Sequence, residues 1–152
     1  MLELAQIEDR EAVNRLARQV HAMHVIWRPD LYQMPDELYP EERFLSAVAK
    51  RQLYVAKVGQ EIIGYAEMNI RELEGLGCVK RKVLLLEAIC VDENFRRQGF
   101  GTQIMADVRA LGLAFGCTDI QLGVYPQNDE AVAFYEKMGF FISSIAMQKK
   151  LR

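Results

Sequence analysis

The stretch from Arg81 to Val91 constrains the fold of this chain more than any other. It holds the two apolar blocks Val83-Leu84-Leu85-Leu86 and Ala88-Ile89-Cys90-Val91, separated only by Glu87, and reads as the most apolar strand. A loop, Asp92-Glu-Asn-Phe-Arg-Arg-Gln, follows it. Then Phe100, Ile104, Val108 and Leu111 recur at helical spacing. A strand that feeds a loop and then a helix returns to its sheet as a parallel neighbour, and Asp119 to Val124 is the next strand-like run.

Upstream, Leu2 to Ala5 reads as a short strand. Behind it Val13, Leu16, Ala17, Val20 and Met23 form the apolar face of a helix, with Asp9 in position to cap it. Pro29, Pro35 and Pro40 break regularity, so Trp27 to Tyr39 is loop. Glu41 to Lys50 is a second helix with Pro40 near its first turn. Gln52 to Val58 and Ile62 to Glu67 or beyond predict an antiparallel hairpin around Gly59-Gln60-Glu61, ended by Gly75 and Gly77. After the parallel pair come a helix over Asp129 to Met138, with Ala131, Phe134, Tyr135 and Met138 on one side, and a closing strand from Phe140 to Lys149. The predicted order is β-α-α-β-β-β-α-β-α-β. Runs of strands followed by strand-helix-strand alternation imply an α/β or α+β fold with a mixed sheet flanked by helices.

At 152 residues the chain fits a single domain over 1–152, since a chain of that length buries roughly 70% of its unfolded surface. Its 19 basic and 21 acidic residues give a net charge of −2, which offers no pull toward a nucleic acid or an anionic membrane. The three cysteines, Cys78, Cys90 and Cys117, are odd in number and lack C-x-x-C spacing, and His21 and His24 lie far from them. Reduced thiols and no metal site are expected. Met1-Leu-Glu-Leu does not open a secretory signal, and the apolar runs fall well short of a membrane span, so a cytoplasmic protein is expected.

Chemistry concentrates in two segments. Arg96-Arg97-Gln98-Gly99-Phe100-Gly101-Thr102 lies between the apolar strand and a helix start. A helix start exposes unpaired N–H groups and about half a positive charge, Gly99 and Gly101 leave the backbone bare, and the arginines add counter-charge, so a diphosphate would be attracted there. No lysine follows Gly101, which disfavours a Walker loop, and position 104 is Ile, which disfavours the dinucleotide fingerprint. The second segment, Asn128-x-x-Ala131-x-x-Phe134-Tyr135-x-x-x-Gly139-Phe140, sets Asn128 at a helix entry and Tyr135 two turns later.

Together, the pattern Val91-x4-Arg96-x-x-Gly99-x-Gly101 and, downstream, the Asn128 to Phe140 motif resemble the GNAT superfamily of acyl-CoA-dependent N-acetyltransferases. The motifs cover residues 85 to 141, and the element order extends the likeness over nearly the whole chain. The resemblance implies a mostly antiparallel sheet of six to seven strands with about four helices, splayed between the fourth and fifth strands. It further implies acetyl-CoA as cofactor, with its pantetheine arm on the main chain of Ile89 and Val91 and near Asn128. Its diphosphate would meet Arg96, Arg97, Gln98, Gly99, Gly101 and Thr102. A helix cap is the competing role for Asn128.

Acetyl transfer needs a neutral amine, whereas an alkylamine with a pKa of about 10.4 is protonated at pH 7, so a base must take a proton. Strict alternation along the strand puts Glu87 on the face of Leu85, Ile89 and Val91, with Cys90 opposite, and Glu87 is the candidate base with Glu67 in reserve. A solvated or ion-paired carboxylate is its competing role. Cys90 reads as a core thiol. The resemblance places Tyr135 as the acid beside the leaving thiolate, and a backbone N–H near Ile89 as the oxyanion donor. His21, His24, Trp27, Arg28, Asp30 and Tyr32 gather near the first helix end and the Pro-rich loop, where relatives border the acceptor cleft; with Glu67 they are candidate substrate contacts.

The expected activity is acetyl transfer to a primary amine of a small molecule or peptide, by direct attack in a ternary complex that leaves coenzyme A. A protein N-terminal acetyltransferase of the ribosomal-protein type and a non-catalytic acyl-CoA sensor remain as alternatives. The partners expected are the amine acceptor and a homodimer as a possible assembly, with no nucleic acid and no membrane.

Overall fold

A computed structural model describes Met1–Arg152 and contains one five-stranded sheet in the order β1-β2-β3-β4-β5. The strands are β1 (Leu2–Leu4), β2 (Leu53–Val58), β3 (Glu61–Leu73), β4 (Arg81–Val91) and β5 (Asp119–Leu122). The helices are α1 (Arg10–Trp27), α2 (Glu41–Ala49), α3 (Phe100–Ala114) and α4 (Asp129–Lys137). β1 through β4 pair antiparallel, and β5 lies parallel to β4, as the crossover through α3 requires.

The sheet separates two apolar layers. On one face Val13 and Leu16 of α1 and Phe44 of α2 are fully buried against Leu53, Val55 and Tyr65. On the other, Ile104, Met105 and Val108 of α3 close over Ile63, Leu84 and Leu86, and Phe134 and Tyr135 of α4, with Met138 just past its end, join the rim. No helix is long and apolar enough to cross a membrane.

Three expectations are corrected by this architecture. The sheet has five strands and not six or seven, because the expected closing strand, Phe140 to Lys149, is neither helix nor strand. Met23 is exposed and lies outside the buried face of α1. Asp9 does not cap α1; its Oδ2 turns back to accept from the Gln6 N–H at 2.8 Å, and Lys57 Nζ lies 3.6 Å from its other oxygen.

A fourth correction bears on the chemistry. Across the β3–β4 ladder Glu67 faces Ala88 while Met68 faces Leu86, so Glu87 is an extra residue on β4, a bulge. Side-chain parity flips there. Leu84 and Leu86 before the bulge, and Ile89 and Val91 after it, all pack toward α3, whereas Ala88 and Cys90 pack toward α1. Glu87 also opens on the α1 side, next to Ala88. It therefore does not share a face with Ile89 and Val91, and Cys90 is not on the face opposite to it. Strict period-two alternation cannot foresee a bulge, since the inserted residue carries no composition signal.

Candidate active site

β5 accompanies β4 only from Val83 to Leu86, paired with Asp119 to Leu122; beyond that β4 runs on alone to Val91. The sheet is split there. The hydrogen bond from Asp92 N–H to the Ile63 carbonyl at 2.7 Å fixes the alternation, so Ile89 and Val91 aim their backbone groups away from β3, into the opening. The Val91 carbonyl accepts from Arg96 Nε at 3.1 Å.

Above this edge, none of the backbone N–H groups from Arg96 to Thr102 donates to a protein carbonyl, and the first amide to do so is Gln103, to Gly99 at 3.1 Å. Arg97 (φ 62°) and Gly99 (φ 86°) are left-handed, so the chain coils into α3 with its amides bare. A Cβ on Gly99 would meet nothing within 4 Å, and Arg96, Arg97, Gln98, Gly99 and Thr102 are all exposed. Arg97 Nη1 pairs loosely with Glu130 Oε1 at 3.3 Å, at the solvent surface. Gly101 lies where α4 meets α3: a Cβ there would sit in van der Waals contact with the Phe134 ring, at 3.4 Å.

Asn128 caps α4, its Oδ1 accepting from Ala131 N–H at 3.2 Å. Tyr135 packs between Phe134 and Phe140, with ring centroids 5.3 and 5.6 Å away. Burial alone pushes its phenol up to about 12.

On the other side of the sheet lies a cleft of about 510 Å³ between α1, α2 and the strands β3 and β4. Glu67, Glu87, His21 and His24 all line it. Glu67 is held: its Oε2 accepts from the Tyr39 hydroxyl and from Arg43 Nη2 at 3.1 Å. Arg43 is held in turn, stacked 4.1 Å over the Tyr39 ring and donating to the Leu38 carbonyl. Burial first, then Tyr65 and Glu67, raise the Tyr39 phenol far above its ordinary value, so it stays a donor. Glu87, by contrast, is exposed and pairs with no cation.

Trp27, Tyr32 and Tyr125 lie outside the lining of that cleft. His24 touches Trp27, Tyr32 and Tyr125 at centroid distances of 6.0, 5.5 and 5.7 Å, and the Tyr32 and Tyr125 hydroxyls lie 2.6 Å apart. Burial, then the neighbouring His21, lower the pKa of His24, which keeps it neutral at pH 7. Of the expected substrate contacts, His24 and Glu67 thus reach the cleft, Trp27 and Tyr32 buttress His24, and Arg28 is engaged by Asp30 at 2.8 Å and Gln148 at 2.9 Å. Cys90 is a core thiol, pushed up to about 12 by burial and donating to the Leu16 carbonyl at 3.5 Å.

Tyr39, Arg43, Tyr65 and Tyr125 were not singled out from sequence. Tyr65 shares a strand face with Glu67 by simple alternation and was findable; Tyr39 and Arg43 reach it only through the Pro-rich loop and α2, whose docking no local pattern encodes.

The family model for the Acetyltransferase (GNAT) family matches residues 19–140, which contain the bulged strand, the bare turn and Tyr135. The chain belongs to the GNAT acetyltransferase family. Among its relatives, aminoglycoside N(6')-acetyltransferase type 1 of Salmonella typhimurium is 30% identical over 87 residues, which are 57% of this chain and 60% of that protein. The match thus spans less than two thirds of that relative's length. The L-amino acid N-acetyltransferase AaaT of Escherichia coli K12 is 26% identical over 152 residues, covering 97% of this chain and 86% of that one. A solved mutant of the BH1408 protein from Bacillus halodurans is 29% identical and superimposes with a TM-score of 0.94 over 100% of this chain and 99% of that one. This GNAT chain therefore shares its overall fold with an experimentally solved structure.

Proposed function

We propose that the chain transfers an acetyl group from acetyl-CoA to a primary amine of a small cationic molecule, by direct attack within a ternary complex. The observation that carries this reading is the split after Leu86, which leaves the edge of Ile89 and Val91 open beneath seven unpaired amides, Arg96 to Thr102. An extended chain of amides such as pantetheine can add to that edge as a strand would, and a diphosphate suits the turn. The residues fit the cofactor. Acetyl-CoA supplies an activated thioester; everything else falls to the protein.

The amine enters from the cleft. Glu87 is the free carboxylate there and takes the ammonium proton, directly or through water, so that the nitrogen lone pair can attack the carbonyl carbon. The Ile89 N–H, pointing into the opening, meets the oxygen as it gains charge. When the tetrahedral centre collapses, the C–S bond breaks and the thiolate leaves toward Tyr135, on the α3 side. A phenol at about 12 is a weaker acid than a thiol of about 8.5. Full proton transfer from Tyr135 would thus run uphill by about 5 kcal/mol, so its work is to hold the thiolate by a hydrogen bond while solvent supplies the proton.

The acceptor class follows from charge. Arg43 is consumed by Glu67 and the Leu38 carbonyl, and His24 is neutral, so no cation stands free to hold a carboxylate, while Glu87 remains to attract an ammonium. Polyamines and aminoglycosides suit this cleft better than amino acids. Thiol release from acetyl-CoA, measured with polyamines, aminoglycosides, amino acids and peptides, tests it. Release is expected with the polycations and to fall at least about 10²-fold in Glu87→Gln. Preference for amino acids would contradict the acceptor class, and coenzyme binding without release to any amine would favour the sensor reading.

A further inference from the structure

β3 outruns one of its neighbours. β2 begins at Leu53, opposite Glu67, and just before it the Gln52 carbonyl accepts from Met68 N–H at 2.8 Å. From Asn69 to Leu73 the strand still pairs with β4 and has no neighbour on its other side. Alternation from Met68 makes Ile70 and Glu72 aim their N–H and C=O groups outward along this stretch. Such an edge accepts an added strand.

The edge begins at a cavity of about 280 Å³ whose charge has one sign. Lys50 and Arg51, in the turn between α2 and β2, line it with Gln52, Asn69, Ile70 and Phe115, and no carboxylate does. Both cations are exposed, and neither enters a salt bridge. Arg71, next along the edge, is a third free cation, whereas Glu72 and Glu74 are already answered by Lys82 at 3.6 Å and Lys80 at 3.4 Å. Gln52 Nε2 donates to Asn69 Oδ1 at 3.1 Å, and this pair lines both the cavity and the cleft of Glu67 and Glu87.

We propose that the β3 edge from Asn69 to Leu73 docks an extended acidic segment of a partner protein as an added strand, with the segment's carboxylates on Lys50, Arg51 and Arg71. Backbone pairing holds the segment, and the cations select it. A second copy of this chain is a poor occupant, because two-fold pairing of the same edge sets these cations against one another. A lone anion would answer the charges and leave the outward N–H and C=O groups of Ile70 and Glu72 without partners. The docking calls on no step of acetyl transfer, so it stands whatever amine is acetylated.

Fluorescence anisotropy at physiological ionic strength tests it, with a short labelled peptide alternating Glu and Val and a second carrying Lys in place of Glu. The chain is expected to bind the acidic peptide saturably and at least about tenfold more tightly than the basic one. Lys50→Glu combined with Arg51→Glu should invert that order. Both side chains are exposed and unpaired, so the fold is expected to survive the double change, as circular dichroism would verify. Amide exchange followed by NMR should show the Ile70 and Glu72 N–H groups protected when the acidic peptide is bound. No saturable binding of the acidic peptide, equal binding of the two, or an order that survives the charge reversal overturns the proposal. So does binding that leaves those two amides unprotected, and so does free glutamate that displaces the peptide at equal concentration, which would leave an anion site only.

Discussion

Tyr135 and Glu87 lie on opposite faces of the split sheet, one among the aromatic side chains of α4 and the other in the cleft beside α1. An amine from one side and a thioester from the other would meet at the free edge of β4, which explains why neither residue needs to contact the other. The Tyr135 hydroxyl is perturbed by burial alone, with no protein partner to lose. Tyr135→Phe is therefore expected to keep its melting temperature and its affinity for acetyl-CoA, and to lose about 10²-fold in kcat. Unchanged turnover in steady-state assays would remove it from the reaction. At this scale the sequence was only partly legible. The motif singles out Tyr135, and Glu87 stands out as a carboxylate in an apolar strand; strict alternation gives Glu87 the wrong face mates because the bulge there inverts the parity of Ile89 and Cys90. The Tyr39–Glu67–Arg43 network joins three elements and has no local signature.

Between elements, β4 is positioned by close contact with β3 and by a charged anchor at its end. A Cβ on Gly64 would fall 2.5 Å from the Cys90 carbonyl and 3.1 Å from Ile104 Cδ1, so a side chain there must push β4 at the split. Gly64→Ala is expected to cost about 1–3 kcal/mol in denaturant unfolding and to weaken coenzyme binding with it. Stability loss without loss of binding would mean that the edge of Ile89 and Val91 is not the docking strand. The anchor is Asp92, buried at the end of β4. Burial raises its carboxyl, but hydrogen bonds from Arg15 and from Asn94 N–H at 3.0 Å outweigh it and hold the group below its ordinary value. A depressed folded pKa contributes stability that is complete above the unfolded value of about 3.9 and is lost as pH falls through the lower folded one. Asp92→Asn should thus lower stability at neutral pH and flatten its decline below about pH 4. A parallel decline in both proteins, followed by denaturant unfolding across pH, would contradict the anchor. Helices and strands with strong periodicity, α3 and β4 above all, were readable in advance. The closing strand was not, because its pattern declares a readiness to pair and cannot say whether this chain supplies the edge.

As a whole, the molecule divides its work by layer. The α1 and α2 layer walls the cleft that holds Glu67 and Glu87, the α3 and α4 layer carries the bare turn and the phenol, and β4 runs past the end of β5 between them. Family membership and this division agree, and the whole account depends on one contact, that of coenzyme A with the turn and the open edge. Backbone amide chemical shifts recorded by NMR during titration with coenzyme A test it most directly. The account predicts saturable shifts concentrated at Arg97–Thr102, Ile89 and Val91; shifts confined to other parts of the chain, or none at all, would contradict it.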